Sequence, residues 1–177
     1  MTDPVELPSP AGALEAAFRA IHQRQMKDVP VLNPALGVEA VGFRAWEQHW
    51  LGILITPWFM NLLLLPRVTA AWKPIAVGES RHYRFPAGVF EFIGGQDAAL
   101  GDYQACSLFS PMFDFTSQQG AHDTAVASLA ALFDLATREA GEAPAAPREA
   151  AKAAAVPRVL SKRELLFGRP ARADREP

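Results

Sequence analysis

The sequence is poor in the residues that build disulfides and metal sites. It contains one cysteine, Cys106, in 177 residues, so an internal disulfide and a cysteine-based zinc cage are both excluded. The four histidines, His22, His49, His82 and His122, are far apart, and no two stand at the spacing of a metal-binding motif. Cys106 also lacks a neighbouring base that would activate its thiol. We therefore predict no cofactor, no resident metal and no catalytic site, and hence a protein that is not an enzyme.

The sequence also lacks a segment that could cross a membrane. The longest apolar block, Trp50–Leu65, covers 16 positions and is interrupted by Pro57 and Asn61, whereas a spanning helix needs about 20 apolar residues. Asp3 and Glu6 stand where a secretory signal would carry basic residues, and no apolar segment follows them. We expect no membrane insertion and a cytoplasmic location.

Positive charge is scarce outside the C-terminal end. The formal net charge is −2. Residues 158–177 hold six Lys and Arg against three Asp and Glu, while the rest of the chain holds eleven against sixteen. The body is therefore about −5 and the last twenty residues are +3. A body of this charge offers no field for nucleic acid.

Strand signals follow one another between residues 39 and 108. The apolar block is interpreted as two strands about a Thr56-Pro57-Trp58 turn, because proline removes a ladder donor and fixes φ where the chain must reverse. Gly94-Gly95 is expected to end a strand, since no phosphate-binding motif surrounds it. The predicted strands are Glu39–Trp46, His49–Thr56, Met60–Leu65, Ser80–Phe85, Val89–Ile93 and Tyr103–Leu108.

Two helices are predicted, one on each side of the strands. The first covers 10–27, with Ser9 as its N-cap and Pro10 at its first position. The second covers 118–137 and is expected to cover the sheet. Its apolar stripe consists of Val126, Leu129 and Phe133.

These elements predict an α+β fold, in which an antiparallel sheet of about six strands is flanked by an N-terminal and a C-terminal helix. Residues 1–9 are predicted to be a disordered N-terminus, and residues 10–139 a single α+β domain. Residues 140–157 are rich in alanine and proline and are predicted to be a flexible linker. Residues 158–177 are predicted to be a flexible basic C-terminal tail.

Tryptophans are concentrated around the apolar block. Trp46, Trp50, Trp58 and Trp72 fall within 27 residues. Buried core is the more common role of such residues, and a groove that binds an apolar peptide is the alternative. Trp58 is expected to be the most exposed because it follows the turn proline. The candidate partner-binding residues of this region are Trp50, Trp58, Phe59 and Trp72.

The tail contains a second candidate motif, Ser161-Lys162-Arg163-Glu164-Leu165-Leu166-Phe167-Gly168-Arg169. It is interpreted either as an ordinary basic chain end or as a segment similar to a twin-arginine export signal, with lysine for the first arginine. It lies at the wrong end of the chain for export and no apolar segment follows it. Its candidate partner-binding residues are Lys162, Arg163, Leu165, Leu166, Phe167 and Arg169.

Several of these motifs, in this order, resemble a known family, the nickel-iron hydrogenase maturation chaperones of the HybE type, also called HupJ or HoxT. The resemblance covers about residues 10–140 and the tail. The tail departs from the family pattern at Lys162, where a second arginine is expected. The motifs are Ile55-Thr56-Pro57-Trp58, the apolar strand ending in Pro66 with Trp72 beyond it, Pro86-x-Gly88, Tyr103-x-x-Cys106-Ser107-Leu108-x-Ser110-Pro111, and Arg163-x-Leu165-Leu166-Phe167-Gly168-Arg169.

The resemblance implies a non-catalytic cytoplasmic chaperone of a nickel-iron hydrogenase. Its expected partner is the small-subunit precursor with a twin-arginine signal, together with the large subunit or other maturation proteins, and its role would be to delay export until assembly is complete. The tail is expected to compete for the client site as a tethered pseudo-substrate. Two alternatives stay open: a metal- or redox-handling accessory that uses Cys106 and the histidines, and a structural subunit of the mature complex.

Overall fold

A computed structural model describes residues 5–134. The described part is an α+β domain with a six-stranded antiparallel sheet between an N-terminal and a C-terminal helix, which confirms the predicted fold class. Within residues 5–134, neither helix is long and apolar enough to cross a membrane. The elements are α1 (Ala11–Ile21), continued by a π-helical segment (His22–Met26), β1 (Glu39–Trp46), β2 (His49–Ile55), β3 (Met60–Pro66), a 3-10 turn (Thr69–Ala71), β4 (Ser80–Phe85), β5 (Gly88–Asp97), β6 (Gly101–Phe109) and α2 (Gln118–Leu132).

The strands lie in the order β1-β2-β3-β6-β5-β4, so the apolar β3 is central and β1 and β4 are the edges. Every neighbouring pair is antiparallel. Between Leu51 and Ile55 every residue of β2 is buried, as is every residue of β3 between Leu62 and Leu65. Both faces of these strands are therefore covered, as their continuous apolar sequence indicates.

β5 runs through Gly94-Gly95, so the prediction that this pair ends a strand is wrong. A Cβ at Gly94 would lie 2.5 Å from the carbonyl oxygen of Ile75, whose chain crosses the strand there. A Cβ at Gly95 would lie 2.5 Å from the ring of Tyr103 on β6. The two glycines mark close approaches inside a strand instead of its end.

The sheet is curled so strongly that its two edge strands touch. The ring of Trp46 on β1 stacks on that of Phe85 on β4 at a centroid distance of 4.3 Å, and the Tyr83 ring lies 6.0 Å from Trp46. We call this arrangement the half-barrel. Its interior is the main core and includes Val41, Leu51, Ile53, Ile55, Met60, Leu62, Leu64, Phe85, Phe90, Phe92, Leu108 and Met112.

α2 closes the half-barrel on the side of its two edges. The helix starts after Ser117, whose hydroxyl accepts a hydrogen bond from the amide of Gly120 at 3.1 Å. At its other end the Ala87 amide of the β4–β5 turn donates to the Leu132 carbonyl at 3.1 Å. Arg44 of β1 places its guanidinium 3.8 Å from the centre of the Phe133 ring. α2 therefore connects β1 to the hairpin that contains β4.

The predicted apolar stripe of α2 is partly wrong, because Val126 is 48% exposed. The helix also ends at Leu132, five residues before the predicted end. Small side chains let α2 lie close to the sheet, where Leu129 fills the space left by Gly42. The buried face consists of Ala121, Ala125, Ser128, Leu129 and Leu132.

α1 covers the outer face of the sheet. Leu14 and Phe18, one helical turn apart, are buried in a second core against Leu54, Leu63 and Leu65. The helix begins after Pro10, one residue later than the predicted start. Its polar side contacts the edge strand as well.

Two side chains of α1 bind the free backbone beside β1. The Glu15 carboxylate accepts a hydrogen bond from the Ala40 amide at 3.0 Å. The Arg19 guanidinium donates to the Val38 carbonyl at 3.3 Å and to Glu15 at 2.8 Å. The outer edge of β1 therefore has partners from within the same chain.

The chain before α1 is not independent of the domain. Residues 1–9 are predicted to be disordered, but the Leu7 amide donates to the Arg67 carbonyl at 2.7 Å and Arg67 pairs with Glu6 at 3.0 Å. The first residues described therefore lie along the chain that leaves β3. The predicted linker 140–157 and tail 158–177 lie outside the described residues.

Candidate partner-binding surface

The turn between β2 and β3 is fixed by a single buried hydroxyl. Thr56 Oγ1 accepts hydrogen bonds from the Trp58 amide at 3.3 Å and the Phe59 amide at 2.9 Å, and donates to the Phe59 carbonyl at 3.1 Å. The Thr56 amide also donates to the Phe59 carbonyl at 2.8 Å. We call Thr56–Phe59 the corner. Its geometry holds Trp58 and Phe59 in defined positions.

Asn33 connects the corner to two other loops. Its amide N–H donates to the Pro57 carbonyl at 2.8 Å, and its side-chain Nδ2 donates to the carbonyls of Met112 at 2.9 Å and Phe115 at 2.7 Å. Asn33 is buried, so these bonds are protected from water. The loop around Asn33, the corner and the loop 110–117 thus form one supported end of the half-barrel, which we call the corner end.

The corner end exposes apolar side chains. Phe113 is 57% exposed and lies next to Met112, whose carbonyl binds Asn33. Val31 is 41% exposed and lies two residues before Asn33. Large exposed apolar side chains on an ordered support are typical of binding surfaces. We call Val31, Trp58, Phe59 and Phe113 the corner surface.

Trp58 and Phe59 are supported from behind by the first helix. The Trp58 ring lies 5.7 Å from the His22 ring and 5.6 Å from the Phe59 ring, and Phe59 meets Phe18 edge-on at 5.7 Å. Trp58 is half-buried, as are the other three tryptophans, so it is not in a more exposed class than they are. The Trp58 ring therefore has two ring contacts within the domain and an intermediate exposure.

The structure separates the other two predicted aromatic residues from the corner. Trp50 pairs with Leu65 at the opposite end of the β2–β3 hairpin, and its Nε1 donates to the Leu7 carbonyl at 3.0 Å. Trp72 follows β3 and meets the His49 ring edge-on at 5.6 Å. The tryptophans are close in sequence, but the hairpin sends them to its two ends. Of the predicted site residues that are described, Trp58 and Phe59 come together.

Sequence reasoning missed Val31 and Phe113. Each lies in a loop that contains proline, where neither strand alternation nor helical spacing marks a residue as buried or exposed. The available signal was a large apolar residue inside a proline-containing loop, since a loop at the surface has little core to receive it. The predicted tail residues from Lys162 to Arg169 lie outside the described part of the chain.

The opposite end of the half-barrel is closed by residues 72–78, which we call the strap. The Tyr83 hydroxyl donates to Gln104 Oε1 at 2.6 Å, and Gln104 Nε2 donates to the Lys73 carbonyl at 3.2 Å. Arg81 donates to the same carbonyl at 2.8 Å. The fully buried Gln104 therefore pins the strap across the interior of the half-barrel.

His49 lies under the strap, where burial disfavours its protonated form. Burial lowers the pKa of His49, and the nearby charge of Arg81 acts in the same direction. The carboxylate of Glu47 and the backbone of Trp46 oppose this shift in the pKa. Among the described residues, neither His49 Nδ1 nor Trp72 Nε1 has a hydrogen-bond partner. The strap end is therefore an aromatic and polar closure, distinct from the corner surface.

The metal-handling alternative receives no support from the described residues. His22 lies beside Trp58, His82 on the exposed side of β4, and His122 bonds through Nδ1 to Glu39 at 2.6 Å. Cys106 packs against the main core. Within residues 5–134, no three His, Cys, Asp or Glu side chains are grouped to hold a metal ion.

Comparison with known proteins identifies the family of this domain. The family model described as "[NiFe]-hydrogenase assembly, chaperone, HybE" matches residues 9–168. The protein HoxT of Cupriavidus necator is 40% identical over 171 residues, covering 88% of this chain and 87% of HoxT. The hydrogenase expression/formation protein HupJ of Bradyrhizobium diazoefficiens is 45% identical over 119 residues, covering 67% of this chain and 69% of that protein.

A further relative differs in length. The probable rubredoxin HupJ of Rhodobacter capsulatus is 44% identical over 126 residues, which are 71% of this chain but 45% of that protein. This chain therefore spans less than half of that relative. With a single cysteine, it lacks the four thiolates of an iron-sulfur centre.

A solved structure has the same fold. The solution structure of HybE from Escherichia coli superimposes with a TM-score of 0.57 at 27% sequence identity, covering 87% of this chain and 96% of HybE. The family match, the relatives and this structure agree with one another. The chain belongs to the HybE family of [NiFe]-hydrogenase assembly chaperones and has a role in hydrogenase maturation.

Proposed function

We propose that this chain binds the precursor of a [NiFe]-hydrogenase small subunit in the cytoplasm, while the precursor still carries its twin-arginine signal. Binding delays export until the subunit has been assembled with the large subunit and other maturation proteins. The family supports a role in hydrogenase assembly. The corner surface supports a site for an apolar segment of the client.

The observation that carries this proposal is the exposure of Phe113 and Val31 on a rigid support. Asn33 binds the backbone on both sides of Phe113, so the loop is ordered before a client arrives. A preformed apolar surface loses little conformational entropy on binding. It therefore suits the apolar segment of an export signal, which has little structure of its own.

The charge of the domain favours a basic partner at long range. Residues 5–134 contain twelve acidic and eight basic side chains, a net charge of −4 with histidines neutral. We infer that charge steers the arginines of the signal towards the domain, and that apolar contact at the corner surface holds it.

The test compares two substitutions of exposed apolar residues. Phe113→Ser removes the most exposed side chain of the corner surface, and Val77→Ser changes a 70% exposed side chain in the strap, at the other end. We expect Phe113→Ser to weaken binding of a labelled small-subunit signal peptide by about tenfold or more. Val77→Ser should leave the affinity unchanged.

Two outcomes of this binding measurement would overturn the proposal. Equal weakening by both variants, or by neither, would remove the corner surface as the site. Absence of binding by the unaltered chain, both to the signal peptide and to the complete precursor, would remove the small-subunit precursor as the client. A mature small subunit without its signal is the control ligand, and it should bind more weakly than the precursor.

Trp58 and Phe59 belong to this proposed contact, whereas Trp50 and Trp72 lie at the other end of the hairpin. A client that contacts all four must pass along the domain. Crosslinking from a photoreactive residue in the signal peptide distinguishes the two cases. We expect crosslinks to Trp58 or to the loop of Phe113, and a client confined to the corner end should give none at Trp72.

A further inference from the structure

We propose that the apolar residues Leu165, Leu166 and Phe167 of this chain occupy its own corner surface when no client is bound. The segment Ser161–Arg169, which we call the C-terminal motif, then acts as an internal competitor of the client. This inference rests on the proposed function, because it assigns the same surface to the motif and to the signal peptide. Release of the motif would accompany client binding.

The C-terminal motif has basic residues followed by an apolar group. Ser161-Lys162-Arg163 is followed after one residue by Leu165-Leu166-Phe167, so two basic side chains precede an apolar group. A twin-arginine signal presents the same order of basic and apolar residues. A surface that accepts one of these segments has the chemistry to accept the other.

The family match extends beyond the α+β domain and includes the apolar group of the motif. The match continues to residue 168, directly after Phe167, although residues 138–157 contain nine alanines and three prolines and have no large apolar side chain except Val156. The match therefore includes an apolar group that the α+β domain does not contain. An apolar group outside the domain can be buried only against another surface, and Val31 and Phe113 of the corner surface are exposed.

Chain length permits the contact within one molecule. Leu165 lies 31 positions after Asp134, the last described residue. By random-coil scaling, 31 residues have a root-mean-square span of roughly 30 Å. α2 is about 22 Å long, and its first turn already lies at the corner end, where Gln118 accepts a hydrogen bond from the Gly37 amide at 2.8 Å. The motif can therefore return from the end of α2 to the corner surface.

Charge and tethering favour the contact further. Residues 158–177 carry a net charge of +3, and residues 5–134 carry −4. A tether of this kind gives an effective concentration on the order of millimolar. An apolar contact with a Kd of about 0.1 mM would then occupy the surface most of the time and weaken client binding about tenfold.

The experiment uses the full chain with the motif altered. Leu165, Leu166 and Phe167 are changed together to Ser, and the matched control changes Ala151, Ala153 and Ala154 to Ser. The chain is labelled with 5-fluorotryptophan, and a Trp58→Phe variant assigns the fluorine resonance of Trp58. We expect the motif variant to shift the Trp58 resonance without any client, and the control variant to leave it unchanged.

The second readout is the affinity for the signal peptide, which should become about tenfold tighter in the motif variant and remain unchanged in the control. An unaltered Trp58 resonance with equal peptide affinity would overturn this inference and leave the proposed function intact. A shifted Trp58 resonance in a chain that binds no signal peptide would support the motif contact and overturn the proposed function. A shift that disappears on dilution would overturn the intramolecular contact, since the motif would then enter a second copy.

Discussion

Trp46 and Phe85 stack at 4.3 Å although they belong to the two opposite edges of the sheet. This contact holds the half-barrel in its curled shape, since β1 and β4 are not neighbours in the hydrogen-bonded strand order. We predict that Phe85→Ala lowers the free energy of unfolding by about 3–5 kcal/mol, because it leaves a cavity between the edges. Urea denaturation followed by far-ultraviolet circular dichroism measures the change.

The control for this prediction is Phe113→Ala. It removes the same atoms from a 57% exposed position and should change the unfolding free energy by less than about 0.5 kcal/mol. Comparable losses in the two variants would show that the edge contact contributes little to stability.

The second prediction concerns Asn33. Asn33→Ala leaves the carbonyls of Met112 and Phe115 without their donor in a buried place, so we expect a loss of about 2–4 kcal/mol in unfolding free energy. The loop 110–117 should also become more accessible to proteases. Gln25→Ala, which alters an exposed amide in the π-helical segment, is the control. Equal stability of the two variants would mean that Asn33 does not support the corner end.

Substitution of two glycines by alanine should change the unfolding free energy in opposite directions. Gly94→Ala should lower the unfolding free energy by about 1–3 kcal/mol, because its Cβ would meet the Ile75 carbonyl. Gly12→Ala should raise it by about 0.5–1 kcal/mol, because a Cβ on this exposed residue of α1 meets nothing within 4 Å. Thermal and urea unfolding of both variants measure the difference. A stabilising Gly94→Ala would contradict the position of the strap.

The fourth prediction is a pH dependence of stability. The pKa of His49 is lower in the folded protein than the ordinary value of 6.5, so the unfolded chain takes up this proton first as the pH falls. The contribution of neutral His49 is fully present above about pH 6.5 and is lost as the pH falls through the folded pKa. His49→Gln should therefore lose less unfolding free energy than the unaltered chain between about pH 7.5 and 5.

His82→Gln is the control for this pH dependence, because His82 lies exposed on β4. It should follow the unaltered chain across the whole range. If His49→Gln also follows the unaltered chain, burial of His49 does not couple its protonation to unfolding.

Local sequence signals were sufficient for most of the elements. β1 and β4 have the predicted bounds, Glu39–Trp46 and Ser80–Phe85, because alternation and proline or glycine turns are local properties. The curl of the sheet could not be predicted in this way. It depends on the contact of Trp46 with Phe85, which joins residues 39 positions apart in the chain. The close approach of Ile75 to Gly94 is also nonlocal, so local signals predict a strand end at the glycine pair.

Of the corner surface, the sequence predicts the two residues of the turn and misses the two residues of the neighbouring loops. Trp58 and Phe59 follow a Thr-Pro turn whose hydrogen bonds lie within four residues. Val31 and Phe113 lie in loops that meet the corner at Asn33, which bonds to carbonyls 79 and 82 positions away. The periodicity of a helix or a strand relates only residues that are close in sequence. It therefore cannot show that two loops so far apart in the chain meet.

The hydrogen bonds along the outer edge of β1 have a consequence for the aggregation of the domain. An open edge strand adds extended chains without regard to their sequence, which is a hazard for a protein that handles incompletely assembled subunits. Here Glu15 and Arg19 already bond to the backbone at Ala40 and Val38, and the curl turns β1 towards β4. These bonds occupy backbone groups at the outer edge of β1 that a foreign strand would otherwise pair with, so strand addition there is opposed from within the molecule.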